Sequence, residues 1–264
     1  MKQDIDFNPL SSSYICKYME TSLNKYISET GFCSRREADG FIEQGRVTIN
    51  ETIAVKGNRV KEGDEVRLDG EKLKTKKVAV YLMLNKPKGI TCTTDRKDKT
   101  NIVDFINHKS RIFPVGRLDK LSEGLLFLTN DGDIVNKILR AGNQHEKEYV
   151  VSVDKPVTPE FIKQLRSGVR ILGTVTKPCF VKQESTDRFR IILVQGLNRQ
   201  IRRMCEALGY SVRSLVRIRI MSITLAGLPP GKWRNFTTAE INKINEMLID
   251  SSKTEHPSMD NMDE

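Results

Sequence analysis

The chain has 264 residues, enough for one large domain or two modest ones with cores of their own, and a composition of 38% hydrophobic and 30% charged residues that suits a soluble globular protein. Lysine and arginine number 44 against 34 aspartate and glutamate, a formal charge of +10 that favours a polyanionic partner. No apolar run approaches the roughly 20 residues needed to cross a bilayer, and the acidic segment Met1–Leu10 is no secretory signal, so no membrane partner and a cytoplasmic location are expected.

Residues 1–20 carry little pattern and are expected to form a flexible extension. Order begins at Ser22, an N-cap for a helix that places Leu23, Tyr26 and Ile27 on one face and ends near Gly31. Ser34-Arg35-Arg36-Glu37 reads as a capping box for a second helix, with Ala38, Phe41 and Ile42 inward and Gly45 as terminator. Val47 and Ile49 then alternate, Asn50 begins a turn, and Val60, Gly63-Asp64, Val66 and Leu68 suggest short, tightly joined strands. Lys25, Arg35, Arg36 and Arg46, with Lys56 and Arg59, crowd this small module with positive charge. They could follow a phosphate backbone without reading its bases, or form an ordinary solvated face. Residues 69–77 are polar and poor in apolar side chains, so a linker is expected there and the module is placed at 21–68.

A larger domain is expected over 78–249. Val78–Leu84 reads as a buried strand ended by a turn at Asn85-Lys86-Pro87-Lys88-Gly89, and Asn101 with Asp104 can cap a short helix carrying Ile102, Val103, Phe105 and Ile106. At the centre, Arg117 and Asp119 stand between a proline–glycine turn and the strand run Leu125–Thr129, which closes at Asn130-Asp131-Gly132. Ile134, Val135, Ile138 and Leu139 form a helical face, and Tyr149–Val153 returns as a strand. Thr158-Pro159 opens a helix with Phe161, Ile162 and Leu165 inward and Gly168 at its end. Three β-rich stretches, Val169–Leu172, Cys179–Val181 and Phe189–Val194, lead to a helix at Arg199–Leu208, capped by Asn198 and stopped by Gly209. Its spacing turns Arg199 and Arg203 to solvent and leaves Arg202 near the boundary. Val212–Ile220 is a strand interrupted by arginines, and Thr237 with Glu240 boxes a last helix using Ile241, Ile244 and Leu248. This mixed order predicts an α+β domain with a substantial mixed sheet, followed by a disordered acidic tail at 250–264.

Five cysteines, Cys16, Cys33, Cys92, Cys179 and Cys205, are odd in number and unpaired by motif, and the histidines His108, His145 and His256 are scattered. Reduced thiols and no metal site are expected. Asp119 reads either as a loop carboxylate with a local partner or as a reactive one held beside a base, and Arg202 is the guanidinium best placed to meet it. Burying such a pair costs solvation that attraction does not always return, which favours a functional reason for it. Tyr149 is either a sheet aromatic or a ring that stacks on a base, an interaction of roughly 1–3 kcal/mol. Leu215 is either core or the apolar floor of a base pocket, and Arg117 could touch phosphate or fill the space of an extruded base.

Ser22–Ala38, continued by Ile42–Val47 and Val60–Val66, resembles the S4 RNA-binding domain, with Asn24 in place of its usual aspartate and Glu51 in place of its turn glycine. Gly116-Arg-Leu-Asp119, Gly124–Gly132, Lys147-Glu-Tyr149 and Gln195–Arg203 resemble the RsuA-type ribosomal RNA pseudouridine synthases, over about residues 22–240 in all. Asn101–His108 and Ile138–Tyr149 support likeness to its large-subunit members in particular. The resemblance implies a two-domain α+β protein, an N-terminal S4 domain and a synthase domain, that isomerises uridine to pseudouridine. The implied substrate is structured RNA, first 23S ribosomal RNA or its assembly intermediate and second a transfer RNA anticodon arm. It implies no cofactor, because the reaction is an internal rearrangement. It gives Asp119 the catalytic role, Tyr149 the stacking role, Arg202 the pairing with aspartate and Leu215 a place in the apolar pocket. Whether the aspartate attacks C1′, removes a sugar proton or works through C6 stays open at this point. A monomer is expected, since one basic module and one reactive cleft suffice. The opposing reading is a noncatalytic RNA-binding protein of ribosome assembly.

Overall fold

The computed structural model describes residues 20–74, 78–139 and 144–249. Residues 1–19 and 250–264, where an extension and an acidic tail are expected, lie outside the described residues. The chain divides into two compact units, 1–77 and 78–264.

The first unit sets the helices Leu23–Glu29 and Arg35–Glu43 beside a four-stranded sheet in the order Thr52–Ile53, Val47–Ile49, Val66–Leu68, Glu71–Lys72, with Thr21–Ser22 paired to Arg59–Val60. The capping box forms as expected: Ser34 Oγ accepts from Glu37 N at 3.1 Å and Glu37 Oε2 from Ser34 N at 2.6 Å. Leu23, Ile27, Ala38, Ile42, Val47 and Val66 make the core, and full burial of a side chain such as Ile27, at 0% exposure, is worth about 1.5–3 kcal/mol. The turn at Asn50-Glu51 is a two-residue hairpin in which both residues have positive φ, +48° and +68°. Asn50 suits that geometry and anchors it with its side chain, which bonds Asp64 Oδ1 at 2.7 Å and Glu65 N at 2.9 Å. The expected linker is shorter than 69–77. Asp69 and Gly70 take positive φ, Glu71–Lys72 folds back on Val66–Leu68, and Leu73 is 8% exposed. A two-residue charged edge strand has no apolar alternation to reveal it.

The second unit is built on a nine-stranded mixed sheet. From one edge the strands run Phe180–Ser185, Arg188–Leu193, Lys147–Val153, Val212–Ile220, Glu123–Thr129, Tyr81–Lys86 and Trp233–Asn235. Ile223–Thr224 pairs beside Val212–Ile220, and Phe113–Val115 beside Glu123–Thr129. Val212–Ile220 and Glu123–Thr129 are parallel, and the other pairs are antiparallel. The helices Ile102–Ile106, Gly132–Leu139, Pro159–Ser167, Gln200–Ala207 and Thr238–Met247 belong to this unit. The caps at Asn101, Thr158 and Thr237 are as expected, each accepting from the backbone three residues on. Three packed clusters form the core: one around Phe161, Phe189 and Met204, one around Phe127, Phe236 and Ile134, and one around Leu84, Ile102 and Leu126.

Three details differ from the sequence reading, and the described cysteines agree with it. Asn85 and Lys86 do not end the first strand but continue it, buried, because Asn85 Nδ2 reaches the Leu228 carbonyl at 2.7 Å and Lys86 Nζ the Pro87 carbonyl at 2.9 Å. Asn198 does not cap the Gln200–Ala207 helix. Arg199 holds that position in a left-handed conformation, and Gln200 Oε1 turns back to accept from Leu197 N at 3.0 Å. Phe113–Val115 and Trp233–Asn235 are short strands that pair rather than loop. Cys33, Cys92 and Cys205 are buried free thiols and Cys179 is partly buried.

Candidate active site

The loop that carries Asp119 is fastened through its main chain. Leu118 is buried in the core and its N–H donates to Cys92 Sγ at 3.4 Å. The Asp119 carbonyl accepts from Ser122 N at 2.9 Å, and the Lys120 carbonyl accepts from Gly89 N at 2.8 Å and Lys86 Nζ at 3.4 Å. A carboxylate on so tied a loop keeps its position without waiting for substrate. The loop joins Gly124, whose φ of +104° and close approach to Arg217 allow only glycine: a Cβ there would lie 2.2 Å from the Arg217 carbonyl oxygen.

Arg202 reaches Asp119 from the first turn of the Gln200–Ala207 helix, its Nε 3.6 Å from Oδ2. Nη1 donates to the Val212 carbonyl at 3.2 Å and Nη2 to Ser122 Oγ at 3.3 Å, so the guanidinium is oriented by its own neighbours. Arg202 is 8% exposed, and its buried Nε makes no hydrogen bond among the described residues. Arg199 Nη1 lies 3.7 Å from the same Oδ2. Two guanidinium groups thus approach the same oxygen.

Asp119, Arg202, Tyr149, Arg117 and Leu215 line one cleft of about 1010 Å³, with Arg199, Lys147 and Arg217 added to its wall. This is the upper range for a site that holds a small ligand, and it leaves room for a nucleotide and part of its chain. Arg117 is exposed and Leu215 is buried at 5%. Tyr149 pairs across the sheet with Arg217, whose Cζ is 6.0 Å from the ring centre, and Val151 pairs with Leu215. Burial and the charge of Arg217 lower the Lys147 ammonium to about 8. Burial also lowers the Lys86 ammonium and raises the Cys92 thiol. On the other face of the same strands, burial pushes Glu148 upward, but hydrogen bonds from Arg219 and Arg190 together outweigh it and hold the carboxyl below its usual range.

The basic residues named on the first unit are not equivalent. Lys25 Nζ lies 3.6 Å from Glu29, and Arg46 makes a bidentate pair with Asp69 at 2.8 and 2.6 Å while stacking over Phe41. Arg35 and Arg36 are exposed at the start of their helix and form no ion pair among the described residues. Sequence reasoning missed Arg199, which it turned to solvent, and gave no role to Lys147 or Arg217. Arg217 left a signal, as one of the arginines that interrupt the apolar pattern of its strand. Arg199 left none, since its left-handed conformation, φ +50°, redirects it out of the helical pattern.

A sheet of this topology with an aspartate, an arginine and a tyrosine in one cleft, preceded by an S4-like unit, defines a class, and the comparisons agree. The RNA pseudouridylate synthase family model matches residues 80–207 and the S4 domain model residues 21–66. The chain belongs to the RNA pseudouridine synthases of RsuA type, isomerases that act on RNA. It is 56% identical over 237 residues to the dual-specificity RNA pseudouridine synthase RluF of Escherichia coli K12, covering 89% of this chain and 82% of the relative. Ribosomal large subunit pseudouridine synthase B of Bacillus subtilis is 34% identical over 240 residues, 88% of this chain and 98% of that one. A crystal structure of pseudouridylate synthase aligns with a TM-score of 0.63 at 29% identity, over 85% of this chain and 99% of the other.

Proposed function

We propose that this enzyme isomerises defined uridines of 23S ribosomal RNA, or of a large-subunit assembly intermediate, and accepts a transfer RNA anticodon arm as second substrate. The observation that carries the assignment of the reactive group is the approach of Arg202 to within 3.6 Å of Asp119 in the cleft that Tyr149 and Leu215 line. Asp119 starts the reaction at the sugar, while Arg202 and Arg199 hold its carboxylate. Tyr149 stacks on the extruded uracil and Leu215 floors its pocket. Arg117, at the exposed lip, occupies the gap left in the RNA or bears on the flanking phosphate. The base is released from N1, turned while retained and rejoined through C5, so the pocket must keep water from the sugar during that interval. The dual specificity for which RluF is named supports two RNA substrates, and the name of the Bacillus relative supports the large subunit.

Arg35 and Arg36 supply the main phosphate contacts of the S4 unit, with Lys25 and Arg46 contributing after giving up part of their internal pairing. We place the enzyme in the cytoplasm as a monomer. No helix among the described residues is long and apolar enough to cross a membrane. The test uses 23S ribosomal RNA and an anticodon-arm RNA tritiated at uridine C5. The parent enzyme is expected to release tritium from both and folded Asp119→Asn from neither. Equal release by Asp119→Asn would overturn the assignment of the aspartate, and pseudouridine mapping with and without the gene product decides the substrate.

A further inference from the structure

Lys147 and Arg217 in the lining of the cleft, and Lys86 against the Asp119 loop, hold positive charge that the Asp119 pair does not use. Lys86, Lys147 and Arg217 are 0%, 9% and 3% exposed. Each donates to a main-chain carbonyl: Lys86 Nζ to Pro87 at 2.9 Å, Lys147 Nζ to His145 at 3.1 Å and Arg217 Nε to Leu125 at 2.7 Å. None forms an ion pair with a carboxylate among the described residues. Arg217 Nη2 is buried with no hydrogen-bond partner among them. Buried cations without counter-ions, and a buried donor without an acceptor, destabilise the free protein. Such groups are commonly held for a ligand that completes them.

Position says which ligand. Lys147 and Arg217 line the cleft. Lys147 precedes Tyr149 by two residues on one strand, Leu215 precedes Arg217 by two on the next, and Tyr149 and Arg217 are cross-strand neighbours, so all four share a face. A stacking ring and an apolar floor mark the place of a flat base, and the two cations stand at its edge. The sheet is shaped to keep them apart from other charge. A shift of register between Glu148 and Tyr149 sends Arg219 to the opposite face, where it pairs with Glu146 and Glu148.

We propose that Arg217 and Lys147 are further catalytic residues, which bind the carbonyl oxygens of the target uracil and stabilise the negative charge that builds on the base as it leaves C1′. The inference rests on the uridine chemistry assigned above to the Asp119 cleft. In either sugar-directed route the C1′–N1 bond breaks with its electron pair going to N1, and the uracil anion spreads that charge onto O2 and O4. Bond formation from C5 to C1′, loss of the C5 proton and protonation of N1 return a neutral base, leaving no net change of charge or oxidation state. Fixed cations in a floor poor in water favour the anion over neutral uridine, so they act on rate more than on affinity. A backbone phosphate carries the same charge before and after the step, and a contact to it would act on affinity.

Single-turnover reaction of a short target RNA by excess enzyme tests this, with uridine or 5-fluorouridine at the target and loss of the N1-linked nucleoside measured after nuclease digestion, because C5 of 5-fluorouridine has no proton to lose and only cleavage of C1′–N1 is common to the two. Fluorine withdraws electrons and already stabilises the detached base. Arg217→Met and Lys147→Met are each expected to react roughly 10²–10³-fold more slowly on uridine, to show a clearly smaller deficit on 5-fluorouridine, and to bind RNA as the parent does. Arg217→Lys should recover part of the rate and serves in place of Arg217→Met if that variant does not fold. Equal deficits on the two substrates, or weaker RNA binding at an unchanged rate, would overturn the proposal. Asp119→Asn in the same assay separates the two levels. If it converts either RNA, the reading of the cleft fails; if it is inactive while the cation variants lose equally on both RNAs, only the present inference fails.

Discussion

Gly124→Ala is expected to damage both the sheet and the chemistry, and its effect can be worked from one close approach. The parallel pairing of Arg217 with Gly124 brings the two main chains so near that an added Cβ would stand 2.2 Å from the Arg217 carbonyl oxygen and 2.7 Å from its nitrogen. Both atoms are backbone inside a paired strand, so relief requires the strands to part. A side chain at φ +104° adds about 1–3 kcal/mol of conformational strain, and overpacking adds about 1–3 kcal/mol. A total near 4 kcal/mol corresponds to a fall of roughly 8–16 °C in the melting temperature of a unit this size. The same displacement breaks the 2.7 Å bond from Arg217 Nε to the Leu125 carbonyl, which should lower the single-turnover rate of whatever fraction stays folded. Differential scanning calorimetry of the full chain, read on the transition of the catalytic unit, is the assay. A variant melting within about 2 °C of the parent with an unchanged rate would refute the reasoning, because it would mean that the strands separate at no cost.

Three further outcomes follow from other parts of the molecule. Glu51→Gly should stabilise the first unit by about 0.5–1 kcal/mol in a denaturant titration, since glycine accepts φ +68° without the steric cost that glutamate bears there; a loss of stability would count against it. Arg234 bonds Glu240 through both oxygens, and with the Thr237 cap outweighs burial to hold that carboxyl at about 2. Its stabilisation is full above the unfolded pKa and lost as pH falls through about 2, so the gap in melting temperature between parent and Glu240→Gln should close over that acid range. The Lys147 ammonium, lowered to about 8 from 10.5, has the opposite sign: the unfolded chain binds its proton more tightly. Lys147→Met should therefore melt above the parent at neutral pH, with an advantage that shrinks as pH climbs past about 8, even as it slows the reaction.

The legible parts of the chain were those set by neighbours in sequence. Ser34 with Glu37 and Thr237 with Glu240 announce their helices because a capping box closes over three residues. Arg202 could be matched to Asp119 because the turn before its helix limits where the first helical residues point. What stayed hidden depends on distant partners. Lys86 reads as a turn residue until the Pro87 and Lys120 carbonyls that receive its ammonium are known. Trp233–Asn235 is a strand only because Leu82–Leu84 offers it an edge, and Glu71–Lys72 only because Asp69-Gly70 doubles the chain back. Arg199 needed a backbone conformation that no side-chain pattern encodes.

The shift of register between Glu148 and Tyr149 means that one strand devotes two of its alternating arginines to different purposes, Arg217 to the cleft and Arg219 to Glu146 and Glu148. Which arginine faces the cleft is thus decided by a count of residues rather than by their kind. Removing Ile218 would take out the shift and leave each arginine opposite its present partner, whereas losing the shift with Ile218 still in the chain would set Arg219 opposite Lys147, on the face of Arg217, while every side chain that forms the pocket was still present. A change in the register of this strand therefore acts on both faces of the sheet at once, whereas a substitution in it acts on one.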